Sequence, residues 1–351
     1  MHRNVDVAIV GGGLGGLTLA ISLLRRSVSV EVFEQAAELR EIGAGVAIAG
    51  NATRLLRELG VELGKVGNIP PYLEFRRWHD GELIRSHEIG SWYENRMGAP
   101  YVTMHRGTLQ RMLAGEVPTE HIHLGHHVTD LVEEPDGVRL LFADQPDVVA
   151  KVVVGVDGVR SLVRRHVAGE VSPVFSGELG FRGVIPVGAS PELPHPTSLH
   201  VWCGPRTHVV YYGMDDGQLV NLLAVFVPDA LPAWTRSTNR VPATSADALS
   251  IFASAGWAES VLELIRNIEG DMQFWALQEL PGLSRWSRDR VVLAGDAAHA
   301  PLPHQGQGAG QAIEDAYTLG HLLAEAGQDG YRRAFETYER LRRRRARRVQ
   351  H

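Results

Sequence analysis

Cysteine is almost missing from the 351-residue sequence. A lone Cys203 allows no intrachain disulfide and no multi-cysteine metal site, which suits a reducing compartment and points to the cytoplasm. Lysine is nearly as scarce. Lys65 and Lys151 are the only two, a poor basis for Schiff-base chemistry. No apolar run reaches the roughly 18–20 residues that cross a bilayer, and the apolar segment 5–10 is too short and wrongly flanked for a signal peptide. A basic excess is missing as well: the formal net charge is −6, whereas a nucleic-acid binder carries a positive footprint. The exception is local, seven arginines within residues 340–348. We read it as the solvated end of a last helix, where cations suit the negative end of the helix dipole. Hydrophobic residues at 44% and charged residues at 22% are ordinary for globular material, here enough for two or three domains.

Residues 5–10 form a β-branched run, glycines punctuate 11–16, and Leu17, Ala20, Ile21 and Leu24 then recur at helical spacing. A second strand at 28–33 ends at Glu34, which gives half of a doubly wound parallel sheet. Asp80-Gly81, Asp136-Gly137 and Asp216-Gly217 each separate strand-like runs, as hairpin turns do. Helical patterns are scarce over 70–100 and 181–228, so both stretches read as antiparallel sheet. Buried parallel strands return at 151–156 and 290–294, and a helix follows at 311–324. The fold class expected is therefore α/β: a discontinuous first domain (1–71, 101–170 and 281–330), an inserted, mainly antiparallel β domain (72–100 and 171–280), and a C-terminal helix (331–351).

Gly11, Gly13 and Gly16 match G-x-G-x-x-G, whose glycines allow a tight turn, admit a pyrophosphate to the backbone and let helix meet strand. The helix N-terminus then offers unpaired N–H groups to phosphate. Glu34 stands where a carboxylate accepts hydrogen bonds from ribose hydroxyls, which disfavours a 2′-phosphate and points to FAD or NAD. Asp157 and Asp296 close parallel strands and so aim into the ligand crevice; Arg160 is close to the first. A carboxylate there suits a ribityl chain, although Asp and Gly are also plain turn residues. His121, His123, His126 and His127 read as a surface strand and not a metal site. Trp275 and Trp286 read as core.

Segments 11–16 (GGGLGG), 156–161 (VDGVRS) and 294–299 (AGDAAH) occur in this order, joined by 41–46 (EIGAGV), 105–109 (HRGTL) and 181–186 (FRGVIP). Together they resemble the fingerprints of the single-component FAD-dependent aromatic hydroxylases, which share the p-hydroxybenzoate hydroxylase-like fold. Segment 302–316 (LPHQGQGAGQAIEDA) is similar to the salicylate hydroxylase and 6-hydroxynicotinate 3-monooxygenase branch. The resemblance implies a Rossmann-like FAD-binding domain. In it Gly13, Leu14 and Gly15 lie on the pyrophosphate, Glu34 on the adenosine ribose and the Val128 backbone at adenine. Gly45 and Val46 run along the flavin, Arg106 reaches the phosphates or ribityl chain, and Asp296 binds the ribityl chain. Gly308 and Ala309 present N–H groups to the isoalloxazine, and Asp157 and Arg160 serve both FAD and NAD(P)H. No second glycine fingerprint, and so no separate nicotinamide domain, is visible, which fits the resemblance, since it implies that NAD(P)H binds transiently.

The reaction implied is hydride transfer to FAD and then oxygen transfer, through a flavin C4a-hydroperoxide, to a small aromatic or heteroaromatic acid, with or without decarboxylation. Molecular oxygen is the co-substrate, and the chain is a monomer or homodimer. His304 is the first candidate for taking a ring-hydroxyl proton; the alternative is a loop histidine bonded to backbone. Arg182 either pairs with a substrate carboxylate or bridges two domains, and Tyr212 either lines the pocket or simply packs. Two other acceptor classes stay open, a larger polycyclic or purine-like molecule and none at all in a flavin-binding sensor. Relatives continue for several turns past the arginine run, so a short last helix or a missing end is expected.

Overall fold

The computed structural model describes residues 3–39, 45–189, 195–214, 217–236, 238–268, 270–327 and 329–350. Strand β1 (Arg3–Val10) leads through the glycines into α1 (Leu14–Leu24) and β2 (Val30–Glu34), the strand–turn–helix–strand expected. Next come β3 (Gly45–Ile48), α2 (Gly50–Glu58), β4 (Tyr72–Arg77), β5 (Leu83–Glu88), α3 (Ser91–Met97), β6 (Val102–His105) and α4 (Arg106–Gly115). Strands β7 (Ile122–Leu124), β8 (Val128–Glu134), β9 (Gly137–Phe142) and β10 (Val148–Gly155) precede α5 (Leu162–Ala168). The chain then enters β11 (Val174–Pro186), β12 (Leu199–Gly204), β13 (Thr207–Met214), β14 (Leu219–Phe226) and β15 (Arg240–Ala243), followed by α6 (Ser245–Ser254), α7 (Glu259–Arg266) and β16 (Met272–Glu279). It returns through β17 (Ser287–Arg288), β18 (Val291–Leu293), α8 (Asp296–His299), α9 (Gly308–Ala326) and α10 (Tyr331–Gln350).

The first sheet runs β17-β18-β10-β1-β2-β7, and the β8–β9 hairpin joins the flank of β10. β1 is parallel to β2 and β10, and β10 to β18. Helices cover both faces of a parallel sheet, so its strands read as continuous apolar runs. Ile9, Val32, Val153 and Val292 are fully buried with Leu17 and Leu19 of α1.

The second sheet runs β15-β16-β11-β14-β13-β12-β4-β5, antiparallel except at β12–β4. Its side chains alternate between two faces. Phe181, Tyr211 and Leu222 bury against Phe252 of α6 and Ile265 of α7, each worth about 1.5–3 kcal/mol. Arg182, Tyr212, Asn221 and Leu223 point the other way, into a cavity. Asp80-Gly81 turns β4 into β5, and Asp136-Gly137 turns β8 into β9. Gly217, at φ 80°, turns β13 into β14, while Asp216 lies outside the described residues.

Several expectations need correction. Helix α3 interrupts the stretch 70–100, and α9 starts at Gly308, three residues before the expected point. The arginine run is not all solvated: Arg342 is buried, with Nε 2.6 Å from Asp315 and a second pair to Glu314. Arg345 also pairs with Glu314. Residues three apart share a helix face, so one side of α10 turns its arginines onto the acids of α9. Trp286 is core, but Trp275 is half-buried under the Arg240 guanidinium. The histidines do not form one strand: His121 and His123 reach Glu31 beside β7, whereas His126 and His127 lie in the loop before β8.

Candidate functional site

Between the carboxyl ends of β1, β2 and β10 and the inner face of the second sheet lies a cavity of about 1000 Å³. Ligands of doubly wound sheets bind at this end because the loops there diverge. The glycine turn forms one wall. Gly11 takes φ 114°, and a Cβ on Gly16 would sit 1.9 Å from the Gly11 carbonyl oxygen, so neither tolerates a side chain. A Cβ on Gly13 would meet no protein atom within 4 Å: that position borders open cavity. Leu14 and Gly15 start α1, and Gly15 packs close to Val156 and Ala312.

Glu34 lines the same wall, and its carboxylate accepts from Gly12 N (2.7 Å) and Ala36 N (2.9 Å). Two amide donors fix its direction and leave lone pairs for hydroxyl donors. Val128 opens β8 at the cavity edge beside His126 and His127. Asp157 lies at the wall too, but its carboxylate accepts from Ser161 Oγ (2.5 Å) and Val163 N (3.1 Å) at the start of α5. Burial raises its pKa, and these hydrogen bonds offset only part of that rise. Arg160 faces the cavity, exposed.

Asp296 opens α8, is exposed to the cavity and has no side-chain hydrogen bond or ion pair among the described residues. The loop beneath it is tied down. Asp315 Oδ2 accepts from Gly295 N (2.8 Å) and pairs with His299 Nε2 (2.5 Å), while Oδ1 takes Arg342 Nε. Burial opposes the Asp315 charge, yet His299 and Arg342 outweigh it and hold the carboxyl below its usual range. Burial likewise opposes charging His299, and Asp315 reverses it, so its pKa is raised.

Arg106 opens α4 above a His105 Nδ1 cap on Gly107 N; it is exposed to the cavity and has no acidic partner among the described residues. β3 lies antiparallel to β6, Gly45 opposite His105 and Val46 opposite Met104. The rest of the 41–46 segment, residues 41–44, lies outside the described residues. Gly45 N donates to Asn221 Oδ1 at 2.7 Å, and a Cβ there would come 2.6 Å from Met214 Sδ and 2.7 Å from the Tyr212 ring. Gly308 and Ala309 supply the first N–H groups of α9 to the same space.

The second sheet supplies the floor. Arg182, Leu223, Val210 and Val201 lie abreast on four adjacent strands, and Asn221, Tyr212 and Leu199 form the next row. Arg182 lines the cavity and is exposed, and the protein around it disfavours its charge by desolvation. No carboxylate among the described residues pairs with it; Tyr212 favours its charge and Arg106 opposes it. Burial raises the pKa of Tyr212 far above the ordinary range, keeping the phenol protonated. His304, in a turn of 3₁₀ helix (Pro303–Gln305), stands at the rim with Nε2 2.9 Å from Glu178 Oε2 and its ring 5.2 Å from that of His208.

The profile of the FAD binding domain matches residues 4–351. The chain belongs to the FAD-binding-domain family. It is 39% identical to a 3-amino-4-hydroxybenzoate 2-monooxygenase of Streptomyces platensis over 99% of this chain and 86% of that one. It is 33% identical to the 6-hydroxynicotinate 3-monooxygenase of Bordetella bronchiseptica over 100% and 91%. Among solved structures, a salicylate hydroxylase in complex with its substrate superposes with a TM-score of 0.84 at 31% identity, covering 99% of this chain and 87% of that one.

The residues of this FAD-binding-domain member fit the dinucleotide. Gly13 leaves the wall open, a fixed carboxylate stands at Glu34, and Arg106 and Asp296 face the cavity without hydrogen-bond or ion-pair partners among the described residues. Among the described residues no cluster of His, Cys, Asp or Glu could hold a metal, and no helix is long and apolar enough to cross a membrane. Asn221, Glu178 and His208 were missed by sequence reasoning. Asn221 alone left a signal, a single amide within the apolar run 219–226.

Proposed function

We propose that this chain is an FAD-dependent monooxygenase that consumes NAD(P)H and molecular oxygen to hydroxylate a small aromatic acid bearing an electron-donating ring substituent. The observation that carries the substrate class is Arg182, a cation without a carboxylate partner among the described residues, on a floor where Leu223, Val210 and Val201 lie abreast of it. A planar guanidinium in such a place is matched by a carboxylate in bidentate contact. The relatives named above support the reading, since the names of two are those of ring-acid monooxygenases.

The first sheet and its helices (1–71, 101–170 and 281–330) hold FAD, and the second (72–100 and 171–280) holds the ring. Gly13, Leu14 and Gly15 take the pyrophosphate, Glu34 the ribose and Val128 the adenine. Arg106 and Asp296 take the phosphates and ribityl chain, and Gly45, Val46, Gly308 and Ala309 frame the isoalloxazine. Held by these residues, FAD would supply the chemistry of hydride acceptance from NAD(P)H and of oxygen transfer to the ring. Arg182 orients the ring by its carboxylate, Tyr212 bounds it, and His304 takes the proton of a ring hydroxyl. Asp157 acts by building the turn before α5, the role its hydrogen bonds support. We place the enzyme in the cytoplasm as a monomer or homodimer.

The test is oxidation of NADH and NADPH by the purified yellow protein. It is run with and without 3-amino-4-hydroxybenzoate, 6-hydroxynicotinate and salicylate, and hydroxylated product and peroxide are quantified. Stoichiometric product from one of them is expected. A protein that stays yellow and is stimulated by none refutes the substrate class.

A further inference from the structure

The rim of the cavity holds a pair that the cofactor frame does not use. Glu178, on β11, places Oε2 2.9 Å from His304 Nε2, and both side chains are about three-quarters or two-thirds buried, at 26% and 34% exposure. His304 Nδ1 makes no hydrogen bond or ion pair among the described residues, and His304 lines the cavity. The ring of His208, from β13, closes on His304 at 5.2 Å and 66°. A carboxylate at one imidazole nitrogen keeps the proton there, leaves the lone pair on the other and stabilises the imidazolium once it forms.

We propose that Glu178 is the positioning residue of the ring-hydroxyl base: it holds the proton on His304 Nε2 so that Nδ1 accepts the substrate's ring proton. The inference rests on the proposed function. In the step, the substrate O–H bond breaks, its proton moves to Nδ1 and the electron pair stays on the ring oxygen. The Nε2 proton stays with the imidazole, now a cation paired with Glu178. The titratable groups that face His304 are Glu178 from β11 and His208 from β13; Arg182 lies four residues along β11 from Glu178. Burial, aided by the neighbouring His304, pushes His208 down to about 4, so it stays neutral through the working range and does not compete for the carboxylate as a second cation.

The experiment uses the FAD-loaded enzyme and 4-hydroxy-3-nitrobenzoate, a ring acid whose phenol changes colour on ionisation. Its pKa when bound is read optically in wild type, Glu178→Gln, Glu178→Asp and His304→Gln, with flavin absorbance reporting folding in each. Wild type is expected to ionise the bound probe at lower pH than free probe. Glu178→Gln raises the bound pKa by about one unit, a tenfold loss in the ionisation constant; His304→Gln raises it at least as far, and Glu178→Asp restores part of the shift. Affinity for the probe at a pH where it is already ionised stays within about twofold in Glu178→Gln, which a merely structural carboxylate would not allow. An unchanged bound pKa in Glu178→Gln, with His304→Gln shifted, overturns the positioning role and leaves the proposed function standing. Failure of wild type to bind the probe at all, with flavin in place, overturns both.

Discussion

Replacing Arg182 by Met separates recognition from folding, because the two respond with opposite signs. In the free protein Arg182 is a charge exposed to the cavity, with no acidic partner among the described residues, with neighbouring protein shedding part of its solvent and with Arg106 opposing it. Met fills similar length and removes the repulsion from Arg106, so stability is expected to hold or rise slightly. Binding moves the other way. A charge-assisted contact between guanidinium and carboxylate contributes about 1.5–3 kcal/mol, and leaving a ligand charge unpaired in the cavity brings the loss to about 2–4 kcal/mol. At 1.4 kcal/mol per tenfold, affinity for the acid falls by about 30- to 1,000-fold. The assay is titration of the flavin spectrum with salicylate and with phenol, which lacks the carboxylate. Salicylate binding should collapse while phenol binding changes by less than about threefold. Equal loss for both ligands, or a melting temperature several degrees lower, would falsify the assignment and return Arg182 to a structural role.

Three further outcomes follow from the cofactor frame. Asp296→Ala removes an unpartnered cavity carboxylate and is expected to weaken FAD binding by about tenfold or more, read by flavin release on dilution; unchanged retention refutes the contact. Gly45→Ala drives a methyl group against Met214 and the Tyr212 ring, at about 1–3 kcal/mol of strain. It should lower the melting temperature and slow hydroxylation more than NADH oxidation, and a variant equal to wild type in both would show that β3 is not pressed on the floor. Asp315→Asn is read in denaturant melts across pH. The lowered Asp315 pKa contributes stability above about pH 4 that is lost as pH falls through its folded value. The raised His299 pKa contributes stability below about pH 6.5 that is lost as pH rises through its folded value. The gap between wild type and variant, about 3–5 kcal/mol for a broken buried pair, should therefore be widest between about pH 4 and 6.5 and narrow on both sides.

What the sequence made legible was whatever local chemistry imposes. A G-x-G-x-x-G turn has one workable geometry, and the 1.9 Å approach of a Gly16 Cβ to the Gly11 carbonyl is the physical content of that motif. Asp-Gly marked the hairpins for the same reason. Alternation along β13 sends Val209 and Tyr211 to the core and Val210 and Tyr212 to the cavity, which a period-two pattern encodes in any strand with two unlike faces. Contacts made between distant segments left no such trace. Asn221 and Gly45 are 176 positions apart, yet the amide of one caps the backbone of the other. Arg342 looked like one more member of a solvated run, because nothing within residues 340–348 says that Glu314 and Asp315 wait on α9. Those two acids sit inside the segment 302–316, whose local pattern is carried by its glycines. The network they form also explains why a cationic helix belongs to the cofactor site. Arg342 steadies Asp315, Asp315 holds Gly295 N and His299, and the loop so fixed carries Asp296 to the cavity wall. A charge on the last helix thus sets the position of a carboxylate that lies between the two anchored residues, Gly295 and His299, at the cavity wall.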